Sequence, residues 1–280
     1  MPMKENKQQF GFTLLELLVV ISIIGLLAST FIFGYSGWTD KARLANTKAF
    51  SQGVRSSVGF NVVGQWMFDD GTARDVSGFS NNGIINGAIP VAGAMGNALS
   101  FNGSSDYIRI PATSIYKVNS MTISAWVKTS SGSTQTIMQQ GNNCNVHPTP
   151  WFYFSGGAMI MRSAISDTTY YISSGAVLIN DNKFHFLVVS SVHGQAPKFY
   201  FDGKDVTASS AKWYLSSSGT NWDVLIGAAV TGPCGATIPN TQFINGLLDD
   251  VAIYKEVLTI AQIQQLYVGG LTKRGLALKE

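Results

Sequence analysis

Charge is scarce in this sequence. Charged residues fill 12% of its 280 positions, about half the usual share. Glu is rarer still and occurs only at Glu5, Glu16, Glu256 and Glu280. With 45% hydrophobic residues, 11% aromatics and 29 glycines, the composition excludes both a solvated disordered chain and a highly charged coiled coil. The net charge is +3, and no Lys/Arg-rich stripe occurs, so no nucleic-acid partner is expected. Cysteine is nearly absent. Cys144 and Cys234 stand far apart in Gly-, Asn- and Pro-rich surroundings and neither belongs to a CxxC pair, which excludes a thiolate metal site. They form either one disulfide between two loops, as an oxidising compartment allows, or two separate thiols.

The apolar residues are concentrated first at the amino terminus. Residues Phe12–Phe33 read FTLLELLVVISIIGLLASTFIF, 22 residues with Glu16 as the sole charge. At about 1.5 Å per residue a helix of that length spans roughly 33 Å, enough for a bilayer core. Lys4 and Lys7 precede it, which favours keeping that end in the cytoplasm. A secretory signal would be apolar without interruption and end in a small-residue cleavage site. Here the apolar run continues into an amphipathic tract, with Ala42, Ala45, Ala49 and Val54 at helical spacing. Gly34, Gly37 and Gly53 weaken that helix. Unbroken, a helix over 12–58 would be roughly 70 Å long, too long to pack wholly on one small domain.

The stretch Gly11-Phe12-Thr13-Leu14-Leu15-Glu16 resembles the type IV prepilin signal. The resemblance covers residues 4–40. It implies a leader over 1–11, cleavage by a prepilin peptidase between Gly11 and Phe12, and methylation of Phe12. It also implies a membrane and assembly helix over 12–58. A carboxylate in hydrocarbon costs several kcal/mol unless paired. The resemblance implies that Glu16 pairs with the terminal ammonium of a neighbouring subunit and sets filament register. The plainer alternative is a membrane anchor that tolerates one Glu.

From Gly59 the helical period gives way to short alternating runs separated by Gly, Asn, Ser and Asp. Strands are predicted over 64–68, 98–101, 107–110, 121–129, 136–140, 151–154, 159–162, 170–172, 184–192, 198–201, 224–228 and 247–254. One helix is predicted over 259–267, capped by Thr259 and buried through Ile260, Ile263 and Leu266. So many strands argue for an antiparallel sandwich. Trp126, on the Ile123/Ala125/Val127 tract, is expected to fill the space between its sheets. Asp202-Gly203 and Asn102-Gly103 are expected hairpin turns. Strict alternation would place Leu247, Asp249, Val251 and Ile253 on one face and Leu248, Asp250, Ala252 and Tyr254 on the other. The segment 271–280 is expected to be a flexible tail.

The ordered set Trp66-Met67-Phe68-Asp69-Asp70-Gly71, Asp75-Val76-Ser77-Gly78, Ala98–Gly103, Thr122–Val127, Phe199–Lys204 and Leu248–Tyr254 is similar to the laminin G-like, concanavalin A-like jelly-roll superfamily. The implied fold class is a long N-terminal α-helix followed by an all-β antiparallel jelly-roll sandwich over 59–270. Relatives of this kind often hold one structural Ca2+ between an early loop and a late-strand Asp. Carried over, that names Asp75 and Asp249, with Asp69 and Asp250 in reserve. The alternative is that Asp75 caps its own turn and Asp249 bonds main chain or a base.

The fold also hosts glycosidases, which place two carboxylates across a cleft. No Glu lies between Glu16 and Glu256, and His147, His185 and His193 are scattered. No enzyme is expected, and His185 reads as structural. Among aromatics that could stack on sugar, Trp151, Tyr170, Tyr171, Trp213 and Trp222, the two in polar loops, Trp213 and Trp222, are the candidate ligand-binding residues.

The resulting expectation is a pilus-type subunit with an adhesive head that binds a surface glycan or matrix protein. Its partners are other pilin subunits, the prepilin peptidase and the membrane. The precursor would sit in the cytoplasmic membrane with its head outside, and the mature form in a surface filament. A minor pilin or pseudopilin of a secretion or DNA-uptake machine, and a membrane-anchored adhesin that never polymerises, are the alternatives.

Overall fold

The structure, a computed structural model, describes residues 14–24, 61–113, 118–140, 150–165, 168–212, 222–230, 239 and 241–277. The chain divides into two units, Met1–Ala49 and Phe50–Glu280. The expected domain boundary at 58–59 lies outside the described residues.

In the first unit, helix α1 covers 14–24, and every residue of it is exposed. Leu14, Leu15, Leu17, Leu18, Val19, Val20, Ile21, Ile23 and Ile24 all present apolar side chains to the outside. Ser22 turns its hydroxyl back onto the Leu18 carbonyl at 2.7 Å, so its polar group is satisfied within the helix. No helix among the described residues is long and apolar enough to cross a membrane. The remainder of the expected span over 12–33 lies outside them.

The second unit is a sandwich of two antiparallel sheets. Its strands are β1 (Val62–Trp66), β2 (Ile84–Asn86), β3 (Ile89–Ala92), β4 (Asn97–Asn102), β5 (Tyr107–Thr113), β6 (Ser120–Thr129), β7 (Gln135–Gln140) and β8 (Trp151–Ser155). They continue with β9 (Ala158–Ile165), β10 (Thr168–Ser173), β11 (Phe184–Val192), β12 (Lys198–Phe201), β13 (Lys204–Asp205), β14 (Trp222–Ile226) and β15 (Asn245–Tyr254), before helix α2 (Ile260–Ala277). One sheet runs β13-β12-β11-β6-β15-β4-β3, with β1 also on β15; the other runs β10-β9-β8-β7-β14-β5-β2. Between them lies a core that includes Trp66, Phe68, Leu99, Ile108, Ile123, Val127, Phe152, Phe154 and Phe199.

A second apolar layer covers the outer face of the first sheet. There Trp126, Phe186, Val188, Tyr200 and Tyr254 pack with Leu258 and Ile263, and Leu266 and Tyr267 close over them. Trp126 therefore does not fill the space between the sheets. It lies beneath α2, 5.7 Å from the Tyr267 ring and 5.2 Å from the Phe186 ring. The intersheet position belongs to Trp66, which is fully buried. Gly270 makes the helix fit, because a Cβ there would come within 2.2 Å of Trp126 Cζ2.

Helix α2 starts at the expected cap. The Thr259 hydroxyl accepts from the Gln262 amide at 3.3 Å, and Gln262 Oε1 accepts from the Thr259 amide at 2.8 Å, a reciprocal box that satisfies two groups at the helix start. Ile263 is buried but Ile260 is 47% exposed, so the expected stripe loses its first member. The helix then runs to Ala277, past the predicted end at Tyr267 and into the segment read as tail.

Two other local expectations are revised. Asp202-Gly203 is the predicted two-residue hairpin turn, with φ of 50° and 74°. Asn102-Gly103 instead begins a loop that carries the chain from β4 in one sheet to β5 in the other. Asn102 Oδ1 accepts from the Ser104 and Ser105 amides, both at 2.9 Å, and so organises the loop. In β15 a bulge falls between Asp249 and Ala252, and Asp250 has φ 42°. The extra residue resets the alternation. Leu248, Val251 and Ile253 face the intersheet core, while Leu247, Ala252 and Tyr254 face the α2 layer.

Candidate functional site

At the amino terminus, Gly11 and Phe12 lie outside the described residues, whereas Glu16 stands exposed on α1 among leucines, valines and isoleucines. In a water-facing helix such a surface is unfavourable, at about 25 cal/mol per Å² of apolar area. The arrangement suits a lipid or protein surrounding, with Glu16 the one charge on the helix.

The two carboxylates nominated for calcium are each engaged by nearby main chain. Asp75 Oδ1 accepts from the Gln65 and Ser77 amides at 3.0 and 2.8 Å, and its Oδ2 accepts from the Asn81 amide at 2.9 Å. The loop is tied further by Trp66 Nε1 donating to the Asn81 carbonyl at 2.9 Å. Asp75 thus organises its own turn. Asp249 is fully buried, and its Oδ2 accepts from the Ala94 and Met95 amides, each at 2.8 Å. Gly93 permits that approach, since a Cβ there would stand 2.6 Å from the same oxygen. Burial, and then the neighbouring Asp250 charge, push the Asp249 carboxyl up to about 7, against the pull of the two amides. Gln65 touches both regions, giving its amide to Asp75 and its side-chain Nε2 to Asp250 Oδ1 at 2.8 Å. Among the described residues, no group of three or more acidic, histidine or cysteine side chains converges as a metal centre. Asp75 is thus held through both oxygens, whereas Asp249 is held through Oδ2 and keeps its buried Oδ1 without a hydrogen bond.

His185 bonds both ring nitrogens to carboxylates. Nδ1 lies 2.9 Å from Asp202 Oδ2 and Nε2 lies 3.0 Å from Asp181 Oδ1. Burial opposes its charge, but the bonds to Asp202 and Asp181 outweigh burial and raise its pKa. The ring stacks on Phe201 at 4.7 Å. Asp202 Oδ1 also accepts from the Phe186 amide at 2.8 Å, so the histidine clamps the β12–β13 turn to the start of β11.

Of the aromatic candidates, Trp213 lies outside the described residues, as do the side chains of Trp222, Tyr170 and Tyr171, although Trp222 opens β14. Trp151 is on the outer face of the second sheet but only 5% exposed. Its Nε1 donates to Thr136 Oγ1 at 2.9 Å, and the Arg162 guanidinium sits 4.9 Å over its ring. That packing makes it a structural ring here rather than an open stacking platform. Cys144 and Cys234 also lie outside the described residues. The strands that lead to them are joined: Gln139 Nε2 donates to the Val230 carbonyl at 3.2 Å, and the Val230 amide donates to Gln139 Oε1 at 2.6 Å.

Comparison with known proteins follows this division of the chain. A family model described as the concanavalin A-like lectin/glucanases superfamily matches residues 102–264, and one described as the prokaryotic N-terminal methylation motif matches residues 6–32. The chain is 36% identical over 69 residues to a fimbrial protein of Moraxella nonliquefaciens, covering 24% of this chain and 45% of that protein. It is 38% identical over 53 residues to the type IV major pilin protein PilE1 of Neisseria gonorrhoeae, covering 19% of this chain and 32% of that protein. The chain spans less than half the length of these curated relatives. Among solved structures, domain 4 of the extracellular arabinanase AbnA of Geobacillus stearothermophilus, in complex with arabinotriose, superposes with a TM-score of 0.58 at 22% identity. It covers 74% of this chain and 98% of that domain. The binding domain of botulinum neurotoxin DC, in complex with SialylT, gives 0.59 at 13% identity, covering 76% of this chain and 52% of that one. At these identities the superpositions show the fold alone. The head matches a superfamily described by both lectins and glucanases, and the amino-terminal region matches type IV pilins.

Proposed function

Because the chain belongs to the concanavalin A-like lectin/glucanases superfamily and carries the prokaryotic N-terminal methylation motif, we propose that it is a type IV pilus-type subunit that displays a lectin-like adhesive head. A prepilin peptidase cuts between Gly11 and Phe12 and the new terminus is methylated. The precursor sits in the cytoplasmic membrane with its head outside; the mature form stands in a surface filament beside other pilin subunits. The head binds a glycan or a matrix protein, with Trp213 and Trp222 as candidate contacts.

The observation that carries this reading is α1 itself. Its apolar residues are all exposed and Glu16 is the only charge among them. A carboxylate on such an apolar helix is costly in hydrocarbon, and the ammonium of a neighbouring processed subunit is the charge we propose it meets in the filament. Calcium is not required by this reading, since Asp75 and Asp249 already bond main-chain amides.

Glu16→Ala tests the reading. Filaments seen by electron microscopy with a head-specific label are expected to disappear, while the protein remains in the membrane fraction. Wild-type filaments labelled along their length indicate a major subunit, and label confined to the tip indicates a minor one. Unchanged behaviour of Glu16→Ala, with no wild-type filament, would leave a tethered adhesin that does not polymerise.

A further inference from the structure

Beside the start of α2 the outer face of the first sheet is not fully covered. A cleft of about 440 Å³ opens there, within the roughly 300–1,000 Å³ range of small-molecule sites. Its floor comes from strand register. Ser190 pairs with Lys198 and Val188 with Tyr200 across β11–β12, and Tyr200 pairs with Asp205 across β12–β13. Paired residues share a face, so Ser190, Lys198, Tyr200 and Asp205 stand together on the α2 side. The wall is the segment entering the helix. Thr122 fixes it by donating its hydroxyl to the Glu256 carbonyl at 2.7 Å and accepting from the Leu258 amide at 3.1 Å. Val257 and Ile260 remain exposed at the rim.

Ser190 has no role in the fold that explains its hydroxyl. The residue is 1% exposed, and its Oγ makes no hydrogen bond. The Tyr200 hydroxyl lies close to it but outside ordinary hydrogen-bond geometry. A buried hydroxyl without a partner costs about 1–3 kcal/mol, and alanine at the same position would avoid that cost. Lys198 and Asp205 meet at 3.4 Å, so the cleft offers a donor and an acceptor with no net charge. An anion would face Asp205, and a purely apolar ligand would leave Ser190 and the ion pair unsatisfied. A neutral sugar ring matches both halves of the cleft. Its C–H face suits Val257, Leu258 and Ile260, and its hydroxyls, each a donor and an acceptor, suit Ser190 and the Lys198–Asp205 pair.

We propose that this cleft binds a single neutral hexose ring, with Ser190 and Asp205 contacting its hydroxyls. The proposal rests on the adhesive reading of the head and gives it a location that the sequence did not suggest. The burial that raises the Tyr200 pKa keeps its phenol neutral, available as a further donor.

Saturation-transfer NMR on the full-length protein tests it, in a detergent without a sugar headgroup. Glucose, galactose, mannose and N-acetylglucosamine serve as probes and inorganic sulfate as the anionic competitor. At least one sugar is expected to bind, and sulfate is expected not to displace it. Ser190→Ala should weaken binding about five- to tenfold with an equal or higher melting temperature, because the lost hydroxyl made no well-formed hydrogen bond in the protein. Asp205→Asn, which keeps the shape, should weaken binding about tenfold. A sugar that binds both variants as well as wild type overturns the cleft and leaves an adhesive head with its site elsewhere. Displacement by sulfate overturns the sugar assignment. If no probe sugar binds, the cleft proposal falls, and a glycan and matrix-protein array then judges the head. Array binding keeps the adhesive reading, and a silent array removes it as well.

Discussion

Leu14 and Leu99 are the same side chain in opposite circumstances. Leu14 is 82% exposed on α1 and Leu99 is 0% exposed on β4. The head buries its apolar residues within itself, in one layer between the sheets and another under α2. The described residues of the amino-terminal helix are instead all exposed. The same hydrophobic effect therefore acts on two levels. In the head it drives folding; in α1, on the proposed reading, it drives insertion and association, with Glu16 marking where the next subunit belongs. A helix so uniformly apolar is what a membrane or an assembly needs, and it would be a liability in a free monomer.

One pair of substitutions sharpens this contrast most strongly. Leu99→Asp puts a charge among fully buried neighbours and should destabilise the head by more than about 4 kcal/mol, lowering or abolishing its cooperative melt. Leu18→Asp makes the same chemical change on α1. It should leave the head's melting temperature unchanged and remove the protein from the membrane fraction. If Leu18→Asp unfolds the head, the division of labour is wrong.

A pH comparison separates the two regions next. Asp249 has a folded pKa raised to about 7, so the folded state holds a proton there that the unfolded chain releases near pH 4. Stability therefore falls as pH rises from about 4 through 7. The raised His185 pKa acts in the same direction, contributing fully below its unfolded value near 6.5 and losing that contribution as pH rises through the folded value. The head should be more stable at pH 5 than at pH 8. Asp249→Asn keeps an acceptor for Ala94 and Met95 and should recover on the order of 2–4 kcal/mol at pH 8, with little change at pH 4. Urea titrations at the two pH values measure this. A flat wild-type profile would show that Asp249 is not held as described.

The smallest effect concerns the second helix. Gly270→Ala should cost about 1–3 kcal/mol by forcing a Cβ against Trp126. The fall in melting temperature should be about 2–4 °C per kcal/mol. The same change at Gly78, where a Cβ meets nothing within 4 Å, controls for bulk but carries its own positive-φ strain (φ 94°).

All twelve expected strands appear, with some ends moved, because alternation and turn residues are local signals. The missed strands were weakly written. β2 and β3 are short and largely exposed, β3 contains Pro90, and β13 has two residues. The direction of Trp126 was not legible because β6 is buried on both faces. With the sheet core on one side and α2 on the other, alternation carries no polarity. The bulge at Asp249–Asp250 was hidden in the same way, since two adjacent acids read as opposite faces until one extra residue shifts the register. The cleft escaped notice because a serine in a strand has no signature. Only a buried hydroxyl left outside hydrogen-bond geometry marks it. The amino-terminal methylation motif was legible because it is written in consecutive residues rather than in the fold.

Intact mass and amino-terminal peptide mass spectrometry of the protein purified from its native membrane or filaments tests the central claim most directly. The account predicts that residues 1–11 are gone and that the chain begins with an N-methylated Phe12. A chain that still begins upstream of Gly11, in material already assembled at the surface, would contradict it.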